Sequence, residues 1–469
     1  MPVVCLDVDV RDLAFAGAAE QARMLAAATI TAPALLDIYL DRIARLDPQL
    51  NSYRVVLTDT ARQEAQSAQG RLDVGERLPL LGVPVAVKDD IDVAGQLTTY
   101  GSDAVSTPAA KDAEVVSRLR AAGAVIIGKT NVPELMMLPI TESKTFGATR
   151  NPWDTALTPG GSSGGNGAAV AAGLVPLAVG SDGGGSIRIP STWCGLYGVK
   201  TSRDRVPLAP RVEPWCGLDV YGPMARSVED AALFLDVTST TPGPVGGFVA
   251  AAAKTPSRLR IALSTKAPPL TFAGAGEEQR AAVKDAGELL GGFGHHVESR
   301  DPDYPLTTIL GNYLPRYFRG VYNDVRPLPH PDRLEKRTRN MARIGSRLSN
   351  RQMAKIRAQE SALAKRILSI FDDFDVLITP GNAKGPSRIG AYRHGAILSL
   401  LSASGRVPFY EAWNLTGQPA AVVPWGLDRH GIPLSIQLVG RPCDEATLLA
   451  LSAQIETARP WSHRRPPLS

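Results

Sequence analysis

Four short apolar runs constrain the fold of this chain more than any other feature: Pro84 to Val87, Ala124 to Ile127, Phe374 to Thr379 and Ala420 to Val423. Their apolar residues are contiguous rather than alternating, which implies strands covered on both faces. Asp112 to Ala122 reads as a helix between the first two runs, so strands and helices alternate. That pattern predicts an α/β class, a single-domain α/β/α sandwich with a mixed β-sheet covered by helices. Thr31 followed by Ala32 and Pro33 is a helix start. Leu36, Tyr39, Leu40, Ile43 and Leu46 follow at helical spacing, with Pro48 just past the expected end. Residues 1–65 are accordingly expected to form an N-terminal helical layer packed on the same domain, and 66–469 its main body. A length of 469 residues would allow about three domains. The Thr/Pro/Gly/Ala-rich stretch Thr238 to Ser257 is nonetheless read as a surface connection, because buried strands continue well beyond it.

Lys and Arg number 51 against 46 Asp and Glu, a net charge of +5, too small for nucleic acid to be the main partner. The basic residues are concentrated between Arg333 and Arg357, nine of them against Glu335 alone. Met341, Ile344 and Leu348 repeat there at helical spacing, so a helix with a solvated basic face is expected, with attraction of anions as the alternative reading. Cys5, Cys194, Cys216 and Cys443 form no C-x-x-C pair, which indicates neither a disulfide framework nor a zinc site and suits a cytoplasmic setting. Acids at Asp7 and Asp9 stand where an export signal would be basic. Gly167 to Gly180 is interrupted by Pro176 and shorter than the roughly 20 residues of a membrane span. It reads as a buried helix followed by a strand, and no span is expected.

Two familiar patterns fail on context. Gly123 to Thr130 matches G-x-x-x-x-G-K-[ST], yet its middle residues read as a buried strand rather than a phosphate-wrapping turn. Gly161-Ser-Ser163-Gly-Gly165 matches the nucleophile elbow G-x-S-x-G, but no good strand precedes it. The elbow also needs a histidine, and His295, His296, His330, His394, His430 and His463 all sit in weak contexts, read as surface or loop positions.

A third constellation is harder to dismiss. Pro159 to Gly167 and Gly180 to Pro190 are two glycine-rich runs, each offering serine, on either side of one Ala/Val-rich segment. Such density lets successive backbone N–H groups converge on a developing oxyanion, though tight turns alone would also use it. A serine nucleophile needs a base. Lys88 ends the run Val83 to Val87, where burial would lower its pKa and keep part of it neutral.

With these residues the chain resembles the amidase signature family, hydrolases with a Ser-Ser-Lys triad. The resemblance rests on Pro84 to Asp89, Gly128 to Asn131, Arg150 to Asp154, both glycine-serine runs, Cys194-Gly195, Gly198 to Thr201 and Gly222 to Arg226 with Asp230-Ala231. It resumes in Asn414 to Pro419 and Gln437 to Arg441. It implies a signature core at about 80–230 and a variable substrate region at about 300–410. It also implies Ser186 as nucleophile, Ser162 as bridging serine on a cis peptide, and Lys88 as base. The backbone N–H groups of Gly183, Gly184, Gly185 and Ser186 would form the oxyanion hole, with Ser163, Ser181, Asp182 and Arg188 supporting them.

The implied reaction is hydrolysis of a small-molecule carboxylic amide to acid plus ammonia or amine through an acyl-enzyme, with no cofactor and no metal. The alternative is an amidotransferase A-type subunit supplying ammonia to a tRNA-dependent partner. That branch shows glutamine and phenylalanine where Ile189 and Met224 stand. Asp90 replaces a usual asparagine; facing Lys88, its carboxylate would raise the lysine pKa. Gly183 and Asp204 also depart from the pattern. Among the aromatics of the variable segments, Trp215, Tyr313, Tyr317, Phe318, Tyr322 and Phe409 are each read as core before pocket. Neither the substrate nor the oligomeric state is set by the sequence, a homodimer being one state left open.

Overall fold

Every residue of Pro84–Lys88, Val125–Thr130, Leu177–Ser181 and Val376–Pro380 is buried in the computed structural model. The model describes residues 10–271, 274–392 and 395–469. Cys5, the acids at Asp7 and Asp9, and His394 lie outside the described residues. In chain order the strands of the main sheet are β1 (Tyr53–Val56), β2 (Pro84–Lys88), β3 (Val125–Thr130), β4 (Leu177–Ser181), β5 (Tyr197–Lys200) and β6 (Tyr221–Ala225). They continue as β7 (Arg260–Leu263), β8 (His296–Ser299), β9 (Val376–Pro380), β10 (Ala420–Leu427) and β11 (Pro433–Gly440). They pair in the order β1-β3-β2-β4-β6-β5-β10-β11-β9-β7-β8, an 11-stranded mixed sheet. Helices cover it, as the apolar runs require, and the whole is a single-domain α/β/α sandwich.

The register at the centre of the sheet positions the site. β2 runs parallel to β4, with Val85 opposite Leu177, Ala86 opposite Ala178 and Val87 opposite Val179. Lys88 and Ser181, the last residues of these strands, therefore emerge side by side at one edge. Between the two glycine runs, the helix Gly164–Ala171 is buried along its whole length. Gly165 is required there: a Cβ on it would stand 2.5 Å from the Asn131 backbone nitrogen.

Several expectations are adjusted. The helix begun at Thr31, whose hydroxyl accepts from the Ala34 N–H, runs through Pro48 to Leu50. Proline removes one late hydrogen bond, and Asn51, in the left-handed conformation at φ 53°, completes the last turn. Arg333 to Arg357 is split rather than continuous. One helix ends at Ser346, and Ser349 with Gln352 forms a capping box that starts the next at Asn350. The stretch Thr238 to Ser257 carries the helix Gly247–Ala252, anchored by the buried Phe248. Among the described residues, no helix is long and apolar enough to cross a membrane.

Candidate active site

Lys88 Nζ lies 2.7 Å from Ser162 Oγ, 2.6 Å from Ser181 Oγ and 3.4 Å from Asp90 Oδ2, all four side chains being buried. Ser181 passes its own proton on, donating to Asp90 Oδ2 at 2.5 Å. The Gly161–Ser162 peptide is cis. Ser163, the serine of the elbow pattern, is fully buried and donates to the Ser181 carbonyl at 3.2 Å. Its backbone N–H donates to the Ser186 carbonyl at 3.1 Å, which ties the two glycine runs together.

Asp182 and Arg188 hold the second run in shape. Arg188 is wholly buried, donating to both oxygens of Asp182, to Gln437 Oε1 at 2.8 Å and to Asn414 Oδ1 at 2.7 Å. Asp182 in turn accepts from the Gly185 N–H at 2.7 Å and the Ile187 N–H at 3.1 Å. The Gly185 N–H therefore departs from the expected set of oxyanion donors: it is already engaged within the loop. The N–H groups of Gly183, Gly184 and Ser186 have no such partner among the described residues. Gly185 has φ +114°, and a Cβ there would stand 2.8 Å from the Tyr410 ring, so only glycine fits.

Burial pushes the Lys88 ammonium below the ordinary lysine range, against the pull of Asp90, Asp219 and Asp182 toward the charged form. Asp90 does face Lys88, so its carboxylate opposes that shift without reversing it. Burial alone would raise the Asp182 carboxyl, yet the adjacent Arg188 guanidinium holds it well below the carboxylate range. Asp219, 3.6 Å from Arg211 Nη1, goes the other way and is pushed up to about 7 by burial.

Ser186 opens onto a pocket with about 80 Å³ open to the centre of a water-sized sphere, walled by Met137, Leu138, Ile309, Tyr313, Tyr317 and Val407. Trp215 lines it too, so Trp215, Tyr313 and Tyr317 are buried in the core, as expected, and also wall this cavity. Phe409 is buried beside Ala275 and Ala383, as core. Among the described residues the one carboxylate on this wall is Glu411, buried and pushed up to about 7 by that burial.

The rejected patterns have structural partners. In the P-loop match, Lys129 is buried in β3 and paired with Asp89 at 2.8 Å. His295 is buried rather than at the surface, accepting from the Leu259 N–H and facing Gln454 Oε1 at 2.9 Å. Sequence reasoning passed over Asp219 and Glu411 as site residues. Each is an acid set among apolar neighbours, in Gly217-Leu-Asp219-Val and Phe409-Tyr-Glu411-Ala-Trp, and that local contrast was the available signal.

Comparison with known proteins agrees along the whole chain. A family model described as Amidase matches residues 34–449. AmiB2 of Mycobacterium tuberculosis, an amidase by name, is 65% identical over 98% of this chain and 100% of its own. Among solved structures, 6-aminohexanoate cyclic dimer hydrolase superposes with a TM-score of 0.87 at 30% identity, covering 98% of this chain and 100% of that one. A bacterial aryl acylamidase of the amidase signature enzymes gives 0.84 at 25% identity, covering 96% and 97%. With its sheet, its glycine-serine runs and these relatives in agreement, the chain belongs to the amidase signature family of amide hydrolases.

Proposed function

We propose that the protein hydrolyses a carboxylic amide through an acyl-enzyme on Ser186, with Lys88 as base and Ser162 as proton bridge. The observation that carries this reading is the 2.7 Å contact between Lys88 Nζ and Ser162 Oγ inside a buried pocket that also depresses the lysine pKa. Neutral Lys88 accepts the Ser162 proton while Ser162 accepts that of Ser186, and Ser186 Oγ attacks the amide carbon. The carbonyl oxygen becomes an oxyanion held by the N–H groups of Gly183, Gly184 and Ser186; one such donor contributes about 3 kcal/mol elsewhere. Collapse breaks the C–N bond as the proton returns through Ser162 to the leaving nitrogen. Water then gives up a proton by the same route, attacks the ester and frees the acid.

The reading needs no cofactor. Free thiols at Cys194, Cys216 and Cys443 support a cytoplasmic setting. Ile189 and Met224 speak against the amidotransferase alternative.

The test is labelling with a fluorophosphonate followed by peptide mass spectrometry, together with Ser186→Ala. The expected result is one adduct on Ser186 in the wild type, and no turnover from a folded Ser186→Ala variant. An adduct on Ser163 would transfer the role to the elbow pattern.

A further inference from the structure

Ser186 sits at the junction of two cavities of different character. Besides the apolar pocket there is a tight chamber, with about 10 Å³ open to the centre of a water-sized sphere, bounded by Asp90, Ser162, Ser181, Gly183 and Asp219. Ser186, Met136 and Trp215 belong to both walls, whereas Ser162 lines only the chamber. The chamber's polar side chains are two carboxylates and three hydroxyls. Among the described residues Asp90 Oδ1 is buried without a hydrogen-bond partner, although Oδ2 of the same carboxylate is engaged by Ser181 and Lys88.

The proton relay makes this asymmetry chemical. When the C–N bond breaks, the nitrogen takes its proton from Ser162 Oγ, which is reprotonated by Lys88. The leaving nitrogen must therefore face Ser162, on the chamber side, and the acyl chain must extend into the apolar pocket. An amide NH2 carries two N–H donors and is about the size of a water molecule, which needs about 10–15 Å³ of such space. Acidic acceptors suit those donors, and little space remains for a substituent on the nitrogen.

We propose that this chamber is the leaving-nitrogen subsite, with Asp90 and Asp219 accepting the amide N–H groups, and that the substrate class is primary amides of apolar carboxylic acids, hydrolysed with release of ammonia. The inference rests on the Ser186–Ser162–Lys88 reading and adds to it which end of the substrate lies where. Ammonia departs from the chamber, and a water of similar size takes its place to attack the acyl-enzyme.

The test compares hexanamide, N-methylhexanamide and hexananilide on the purified full-length enzyme, following hexanoic acid as the common product. The expected kcat/KM for hexanamide exceeds that of both substituted amides by about 100-fold or more. Met136→Ala, which enlarges the chamber, should narrow the gap to hexananilide by about tenfold. Asp219→Asn should lower kcat/KM for hexanamide about tenfold more than for p-nitrophenyl hexanoate, whose leaving group presents no N–H. Hexananilide turned over as well as hexanamide, or equal losses on amide and ester in Asp219→Asn, would overturn the assignment. Hydrolysis without a Ser186 adduct would instead overturn the relay reading beneath it.

Discussion

Lys88 Nζ touches the hydroxyls of Ser162 and Ser181 at 2.7 and 2.6 Å, and Asp90 lies behind them at 3.4 Å. A lysine so placed is governed by two opposing influences: burial favours the neutral amine, and the carboxylate favours the ammonium. In the proposed relay neutral lysine is the active form, so kcat/KM should rise with pH through a pKa below the usual 10.5. Asp90→Asn removes a charge that holds the proton on, so the rising limb should move to lower pH. A pH-rate profile of wild type and variant checks this, and a limb displaced upward would contradict it.

Lys88→Arg should be as inactive as Lys88→Ala, because a guanidinium stays protonated at any working pH. Single replacement of His295, which is hydrogen-bonded on both ring nitrogens, should leave acylation unchanged. Single-turnover kinetics on these variants distinguishes the bases. Retained acylation in Lys88→Ala would exclude the lysine.

Arg188→Met leaves the Asp182 carboxylate buried without its cation, which should destabilise the fold by about 3–5 kcal/mol. Pairing it with Asp182→Asn should recover part of that loss, since the uncompensated charge goes too. Urea midpoints of the two variants measure it. Equal midpoints would mean that packing, not charge, sets the effect.

Glu411 sits near 7 in the folded chain against an ordinary value of 4.5. Between those values the folded state keeps a proton that the unfolded chain has released, so its contribution to stability falls as pH rises from about 4.5 to 7. Glu411→Gln removes that slope. Its stability relative to wild type should improve between pH 5 and pH 8 by about 1–3 kcal/mol, read from denaturant midpoints at each pH. A constant difference across that range would mean that Glu411 does not titrate on unfolding.

What the sequence made legible follows from range. Continuous apolar runs such as Pro84 to Val87 announce a strand covered on both sides, and two glycine runs around one apolar segment announce paired loops. Lys88, Ser162 and Ser186 could be picked out because each lies inside or beside such a run, and the family resemblance supplied their order. Asp219 and Glu411 could not, because a lone acid acquires meaning only from what packs around it. Asp219 meets Asp90 across the chamber, and Glu411 meets the pocket through a helix near the far end of the chain. Trp215, Tyr313 and Tyr317 were ambiguous for a related reason: an aromatic that fills core and one that walls a cavity have the same local sequence. Even Gly185, which the resemblance placed among the oxyanion donors, turned its N–H toward Asp182, a direction that composition does not reveal.

The clamp on Arg188 reaches 226 residues ahead to Asn414 and 249 ahead to Gln437. On the ribosome, Ser186, the proposed nucleophile, and Lys88 thus emerge long before the groups that shape their loop exist. A nascent chain would carry Ser186 through most of its synthesis as an ordinary, unreactive alcohol. Chemical competence arrives with the closing hairpin of β10 and β11, so prematurely terminated chains should be silent toward a fluorophosphonate while completed ones react.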